Sequence, residues 1–105
     1  MTKEQILKKL NELKPLYEKE GLSIVGLFGS YAKEDHDLFS DIDIAYHIDH
    51  RKFSQKFKDG FSKILRLESI KEELESILHK KIDLISLDSN NTLFTDSIKQ
   101  EMIHV

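Results

Sequence analysis

"FGSYAKEDHDLFSDIDIAYHI" spans Phe28 to Ile48 and decides how the rest of the chain is read. Its second half, Asp41 to Ile48, alternates acidic or polar residues with Ile42, Ile44 and Ile48, the period-2 pattern of a strand with one buried face. Successive strand side chains point to opposite faces, so Asp41 and Asp43 share one face while Ile42 and Ile44 go to the other. Two carboxylates held side by side repel, raise each other's pKa and destabilise the fold unless a cation sits between them. Oxygen-only ligands favour Mg²⁺ or Mn²⁺. The first half of the stretch supplies Gly29-Ser30, where a strand runs out into a short helix. Backbone amides at such a turn, with Gly allowing close approach and a Ser hydroxyl added, suit phosphate.

Working outward, "LSIVGLFG", Leu22 to Gly29, is short, apolar and bounded by glycines, which predicts a buried strand. "KIDLISLD", Lys81 to Asp88, predicts a third strand carrying Asp83. If it pairs beside the strand of Asp41 and Asp43, three carboxylates converge, enough for two metals about 3.5 to 4 Å apart in phosphoryl chemistry. Thr2 and Gln5 form a capping-box pattern, and Ile6, Leu10, Leu13 and Tyr17 recur at helical spacing, so an amphipathic helix opens the chain. Pro15 is expected to interrupt it, as a kink or as the start of a second short helix, and Gly21 to act as its C-cap. Residues 50–61 fit two readings, because Phe53, Phe57 and Phe61 have helical spacing while Gly60 weakens a helix. From Ser62 to Leu78 a stripe of Leu67, Ile70, Leu74 and Ile77 predicts a helix. "NNTLFTDSIKQE" reads as a loop and short helix, and "MIHV" as a last edge strand. The expected fold class is mixed α/β, a small sheet with helices packed on it, in a single domain over 1–105.

Composition narrows the function. Charged residues make up 33% of the 105 and hydrophobic ones 39%, as in a globular protein with a charged exterior. The net charge of -3 lacks the basic footprint of a nucleic-acid binder. The chain has no cysteine, which excludes thiolate chemistry. No run approaches a membrane span and the N-terminal stretch has no apolar signal core, so a cytoplasmic protein is expected. His47 and His50 have too little company for a zinc site, and Asp88 suits a turn or cap better than a ligand.

Gly29-Ser30, the ten residues Tyr31 to Ser40 and then Asp41-Ile42-Asp43 resemble the signature of the polymerase β-type nucleotidyltransferases. Among these, the chain resembles the minimal nucleotidyltransferases encoded beside HEPN-domain proteins. The resemblance covers nearly the whole chain, and Asp83 in "KIDLISLD" looks like the family's third acidic residue. It implies transfer of AMP from ATP to a hydroxyl, with Asp41 and Asp43 as ligands of both metals and Asp83 joining the catalytic metal and helping to deprotonate the acceptor. Gly29, Ser30 and Lys33 would bind the triphosphate. In the HEPN-paired members the acceptor is a tyrosine of a toxic ribonuclease, so the implied role is that of an antitoxin, in a homo- or hetero-oligomer.

One departure stands out. The family usually reads Gly-Ser-x-Ala-Arg-Gly, and here Lys33 and Glu34 replace the last two residues. Lys33 keeps the charge without the guanidinium fork, and Glu34 sets an anion near the expected phosphates. Two further readings follow: a catalytically silent antitoxin that acts by docking, and a small-molecule nucleotidyltransferase of the aminoglycoside-modifying kind.

Overall fold

A computed structural model describes residues 1–88 and 92–105, with the side chains of 92–95 and 98 left out. The start of the expected "NNTLFTDSIKQE" loop, residues 90 and 91, lies outside the described residues. In chain order the elements are α1 (Lys3–Glu18), β1 (Leu22–Phe28), α2 (Ser30–Lys33), β2 (Ile42–Ile48), α3 (His50–Lys56), α4 (Gly60–Leu78), β3 (Ile82–Ser86), α5 (Thr92–Glu101) and β4 (Ile103–His104). The expected mixed architecture is the one observed.

The strands form one sheet in the order β3-β2-β1-β4. β1 runs antiparallel to β2 and to β4, whereas β2 and β3 are parallel. A parallel pair needs a long crossover, and α3 and α4 supply it. The C-terminal strand is an edge, as its sequence suggested. Gly26 permits this pairing, because a Cβ there would run into Met102 and the Ile103 carbonyl.

The two sheet faces differ. Leu22, Ile24, Leu27, Ile42, Ile44, Ile48 and Ile82 face α1 and α4 and form the main core with Ile6, Leu10, Ile70, Leu74 and Leu78. The opposite face carries a smaller apolar cluster of Ala45 and Met102, with Val25, Phe28, Ile85 and Leu87 around them. Asp43, two residues before Ala45, belongs to this second face by strand alternation.

α1 starts at the expected capping box: Gln5 N donates to Thr2 Oγ1 at 3.2 Å, and Thr2 N donates to Gln5 Oε1 at 2.9 Å. Pro15 does not interrupt it. The helix runs on to Glu18 around the proline, which removes one amide donor without ending the helix, since Leu10 and Tyr17 on either side are buried in the core. Lys19, not Gly21, is the C-cap. Gly21 instead adopts φ +101° where a Cβ would collide with Phe53 N, and its carbonyl accepts from Asp49 N at 2.8 Å. The open stretch 50–61 resolves into two helices. Asp49 caps α3 and Asp59 caps α4, its Oδ1 accepting from Ser62 N at 2.7 Å, so Gly60 sits at a helix start, where it costs little. Of the three phenylalanines, Phe53 is buried, Phe57 packs on it with ring centroids 4.9 Å apart, and Phe61 is exposed.

Among the described residues, no helix is long and apolar enough to cross a membrane.

Candidate active site

The parallel pairing of β2 and β3 sets Asp43 opposite Asp83, with Ile42 opposite Ile82 and Ile44 opposite Leu84. Residues level with each other on neighbouring strands project to the same face. Asp41 directly precedes β2 and completes the group. The strand bounds are shorter than expected, since β2 begins at Ile42 and β3 ends at Ser86, but all three carboxylates gather at one end of the sheet.

Two clamps hold this register. At the acidic end Ile42 N donates to the Lys81 carbonyl at 2.9 Å. At the far end Ile48 N donates to Asp88 Oδ2 at 3.0 Å, while His47 Nδ1 lies 2.6 Å from Asp88 Oδ1. Those bonds hold the Asp88 carboxyl below its usual pKa against the effect of burial. Asp88 is therefore more than a turn residue, because it ties the end of β3 to β2. Its sequence signal, an Asp just past a strand, is too common to have shown that role.

The electrostatics of the acidic end are one-sided. Asp43 has its pKa pushed up to about 6, first by burial and then by the charges of Asp83 and Asp41. Among the described residues no Lys, Arg or His side chain forms an ion pair with any of the three. Nor is any group of three or more His, Asp or Glu side chains arranged to hold a metal ion as it stands. The donors are nonetheless all carboxylate oxygens around a half-buried Asp43, the chemistry that suits a hard divalent cation. Asp41 and Asp83 are exposed, at the rim of the site.

Gly29 is built into the same site. Its backbone has φ +75° and ψ -151°, a region essentially restricted to glycine, and a Cβ there would overlap Asp43 Oδ2. The turn and the first carboxylate thus pack directly against each other. Ser30 follows as the first residue of α2 and is half-buried, while Gly29 is the N-cap, so the hydroxyl does not cap the helix. Lys33, at the other end of α2, pairs with Glu101 at 3.4 Å. Glu34 has φ +61°, which explains the glycine expected there, and its carboxylate pairs with Lys3 of α1 at 3.3 Å. Its charge is partly answered by a cation of the chain.

A second polar cluster lies on the helical side. Arg66 donates Nε to Glu20 Oε1 at 3.0 Å and a terminal nitrogen to Glu20 Oε2 at 2.7 Å, a bidentate pair, and its other nitrogen to Glu73 Oε2 at 2.8 Å. The guanidinium stands 5.9 Å from the centroid of the Tyr17 ring, whose phenol pKa rises to about 12 through burial and the nearby Glu73. A cleft of about 390 Å³ opens here, lined by Leu13, Leu16, Tyr17 and Ile77 among others. With Lys56 3.7 Å from Glu20, its charges are mutually satisfied, and it ties α4 to Tyr17 of α1 and to the turn that follows.

Comparison with known proteins gives the family and the fold. The family model described as polymerase beta, nucleotidyltransferase matches residues 8–105. Two proteins of Methanocaldococcus jannaschii, each named "Putative protein adenylyltransferase", are 34% and 35% identical to this chain over 100 and 102 residues. The alignments cover 91% and 96% of this chain and 97% and 92% of those proteins. A solved structure of a "putative minimal nucleotidyltransferase" has the same fold, with a TM-score of 0.74 at 21% identity over 100% of this chain and 97% of that one. A crystal structure of a toxin-antitoxin with AMP-PNP contains a chain matching at a TM-score of 0.62 and 26% identity, over 99% of this chain and 72% of that one.

Proposed function

The chain belongs to the polymerase β nucleotidyltransferase family, and from that premise we propose that it moves AMP from ATP onto a hydroxyl, a tyrosine of a HEPN-domain toxin encoded beside it, and so acts as an antitoxin. Residues 1–105 act in this reading as one minimal nucleotidyltransferase domain. The observation that carries it is the register of Asp43 with Asp83, beside Asp41, in a cluster whose charge no cation of the described chain answers. The M. jannaschii relatives bear the name of protein adenylyltransferases, and one structural neighbour is a toxin-antitoxin with AMP-PNP.

Asp41, Asp43 and Asp83 would hold Mg²⁺ or Mn²⁺, which supplies charge neutralisation of the triphosphate and of the attacking oxygen. Gly29 lets the backbone come close to the phosphates, and the Ser30 hydroxyl, not spent on a cap, is available to them. Lys33 reaches the outer phosphates on leaving its exposed pair with Glu101. The acceptor oxygen attacks the α-phosphorus, the bond to the β-phosphate oxygen breaks and pyrophosphate leaves. Asp83, exposed at the rim, takes the hydroxyl proton.

The test uses the purified chain, ATP, Mg²⁺ and the protein encoded by the adjacent reading frame. Wild type adds the mass of AMP to that protein and Asp41→Asn does not. The pairing of Lys33 with Glu101 favours the silent antitoxin as second reading: there the partner is inhibited while its mass is unchanged.

A further inference from the structure

Between the Gly29 turn and Asp41 the chain displays Leu38 and Phe39 at 87% and 92% exposure, more open than any other large apolar residue among those described. Burying one such side chain stabilises a fold by about 2 kcal/mol, so leaving both in water contributes nothing to folding. The turn beneath them has a defined shape. Asp37 Oδ1 accepts from Phe39 N at 2.8 Å, Asp37 N donates to Ser40 Oγ at 3.0 Å, and Lys80 Nζ, from the turn that leads into β3, donates to the Leu38 carbonyl. Tyr31 stacks on His36 at 4.0 Å and holds the entry to the turn against the core.

Position and charge name the occupant. Phe39 is two residues from Asp41, so their Cα atoms are at most about 7 Å apart, and whatever grips Phe39 lies beside the carboxylates. From Glu34 to Asp43 the chain carries five acidic residues and no Lys or Arg. We propose that Leu38 and Phe39 are the anchor by which the acceptor protein docks, through an apolar socket ringed by Lys or Arg that sets its hydroxyl beside Asp41, Asp43 and Asp83. This rests on the reading of a protein acceptor, since a small molecule has no use for a two-residue apolar anchor. The acidic surround steers a basic rim, and the buried aromatic supplies affinity.

The experiment compares wild type with the double variant Leu38→Ser/Phe39→Ser, using the protein encoded beside this chain as probe. Calorimetry at low and high salt gives the dissociation constant, intact mass gives the transfer rate, and a thermal melt with a non-hydrolysable ATP analogue and Mg²⁺ reports nucleotide binding and folding. The proposal expects partner affinity about 30-fold weaker in the variant, a raised KM for the partner at unchanged kcat, unchanged nucleotide binding, and wild-type affinity that falls with salt. Equal partner binding by the two chains overturns it, as does a neighbour that wild type fails to bind. A variant that turns a dimeric chain monomeric while still binding the neighbour overturns it in favour of a second copy on this surface. Should wild type bind through Leu38 and Phe39 yet leave the partner's mass unchanged, the anchor stands and the transfer reading falls.

Discussion

Glu20 and Glu73, on the helical side of the sheet, share the guanidinium of Arg66 through bonds of 2.7 to 3.0 Å. Asp41, Asp43 and Asp83, on the other side, gather with no such partner among the described residues. Both clusters join residues far apart in the chain, and each has one carboxylate withdrawn from solvent, Glu20 in the first and Asp43 in the second. The first is closed: Arg66 and, at 3.7 Å, Lys56 answer its two carboxylates, and the cluster ties α4 to the turn that follows α1. The second is open, and the burial of Asp43 beside two like charges makes it a source of instability in the isolated chain.

The widest gap between the regions should appear in catalysis. Asp41→Asn is expected to lower AMP transfer by at least about 100-fold, through lost transition-state charge stabilisation, while Arg66→Ala leaves the rate per folded molecule unchanged. A single-turnover assay with both variants checks this, and an Asp41→Asn rate close to wild type would break the contrast. Next in size is the response to cations. Mg²⁺ or Mn²⁺ with ATP should raise the melting temperature, by an amount equivalent to about 2.7 kcal/mol at a hundredfold excess over the dissociation constant. The rise should vanish in the Asp41→Asn/Asp43→Asn chain and persist in Arg66→Ala.

Arg66→Ala should itself destabilise by about 1.5 kcal/mol, because the buried Glu20 loses its bidentate partner and keeps only the longer, 3.7 Å pair with the exposed Lys56. Denaturant unfolding measures it, and a change below about 0.5 kcal/mol would mean that the seam is held by apolar packing alone. Glu34→Gly should stabilise by about 1 kcal/mol, as φ +61° strains any residue with a Cβ and the exposed pair with Lys3 adds little. The same unfolding curves read it.

The smallest effect is that of pH on the metal-free chain. Asp43 titrates near 6 in the fold against 3.8 as the ordinary value, so between those pH values the native state binds more protons than the unfolded one. Stability should therefore fall as pH rises through this window and recover on acidification from about 6 towards 4, modestly, since Asp43 is only half-buried and solvent still screens it. Asp43→Asn should flatten that part of the pH profile. A slope retained in the variant would assign it to another group.

Local pattern made much of this legible. Alternation around Ile42 and Ile44 set Asp41 and Asp43 on one face, the Thr2-Gln5 pair marked the start of α1, and bounding glycines marked β1. The position of Asp83 was readable only as a condition, since the register between strands joined by two helices depends on tertiary packing. Arg66 and Glu20 are 46 positions apart, and no periodicity announces such a pair. Pro15 misled because a burial stripe on both sides outweighed one missing hydrogen bond. Glu34 was legible both as a charge and as a side chain where glycine is expected, and its left-handed backbone, φ +61°, bears out the second.

The parallel pairing of β2 with β3 also sets a timetable. Asp43 meets Asp83 only after the chain has closed a loop of forty residues, and β1 acquires β4 only when Ile103 and His104 arrive. Contacts of such long sequence separation form late in folding, because the entropy of loop closure is lost before pairing repays it. During synthesis the α1–β1–β2 half emerges first, carrying Gly29, Ser30, Asp41 and Asp43 but lacking the strand that completes the acidic end. A product that stops before β3 would keep Gly29, Ser30, Asp41 and Asp43 yet leave the acidic end one carboxylate short.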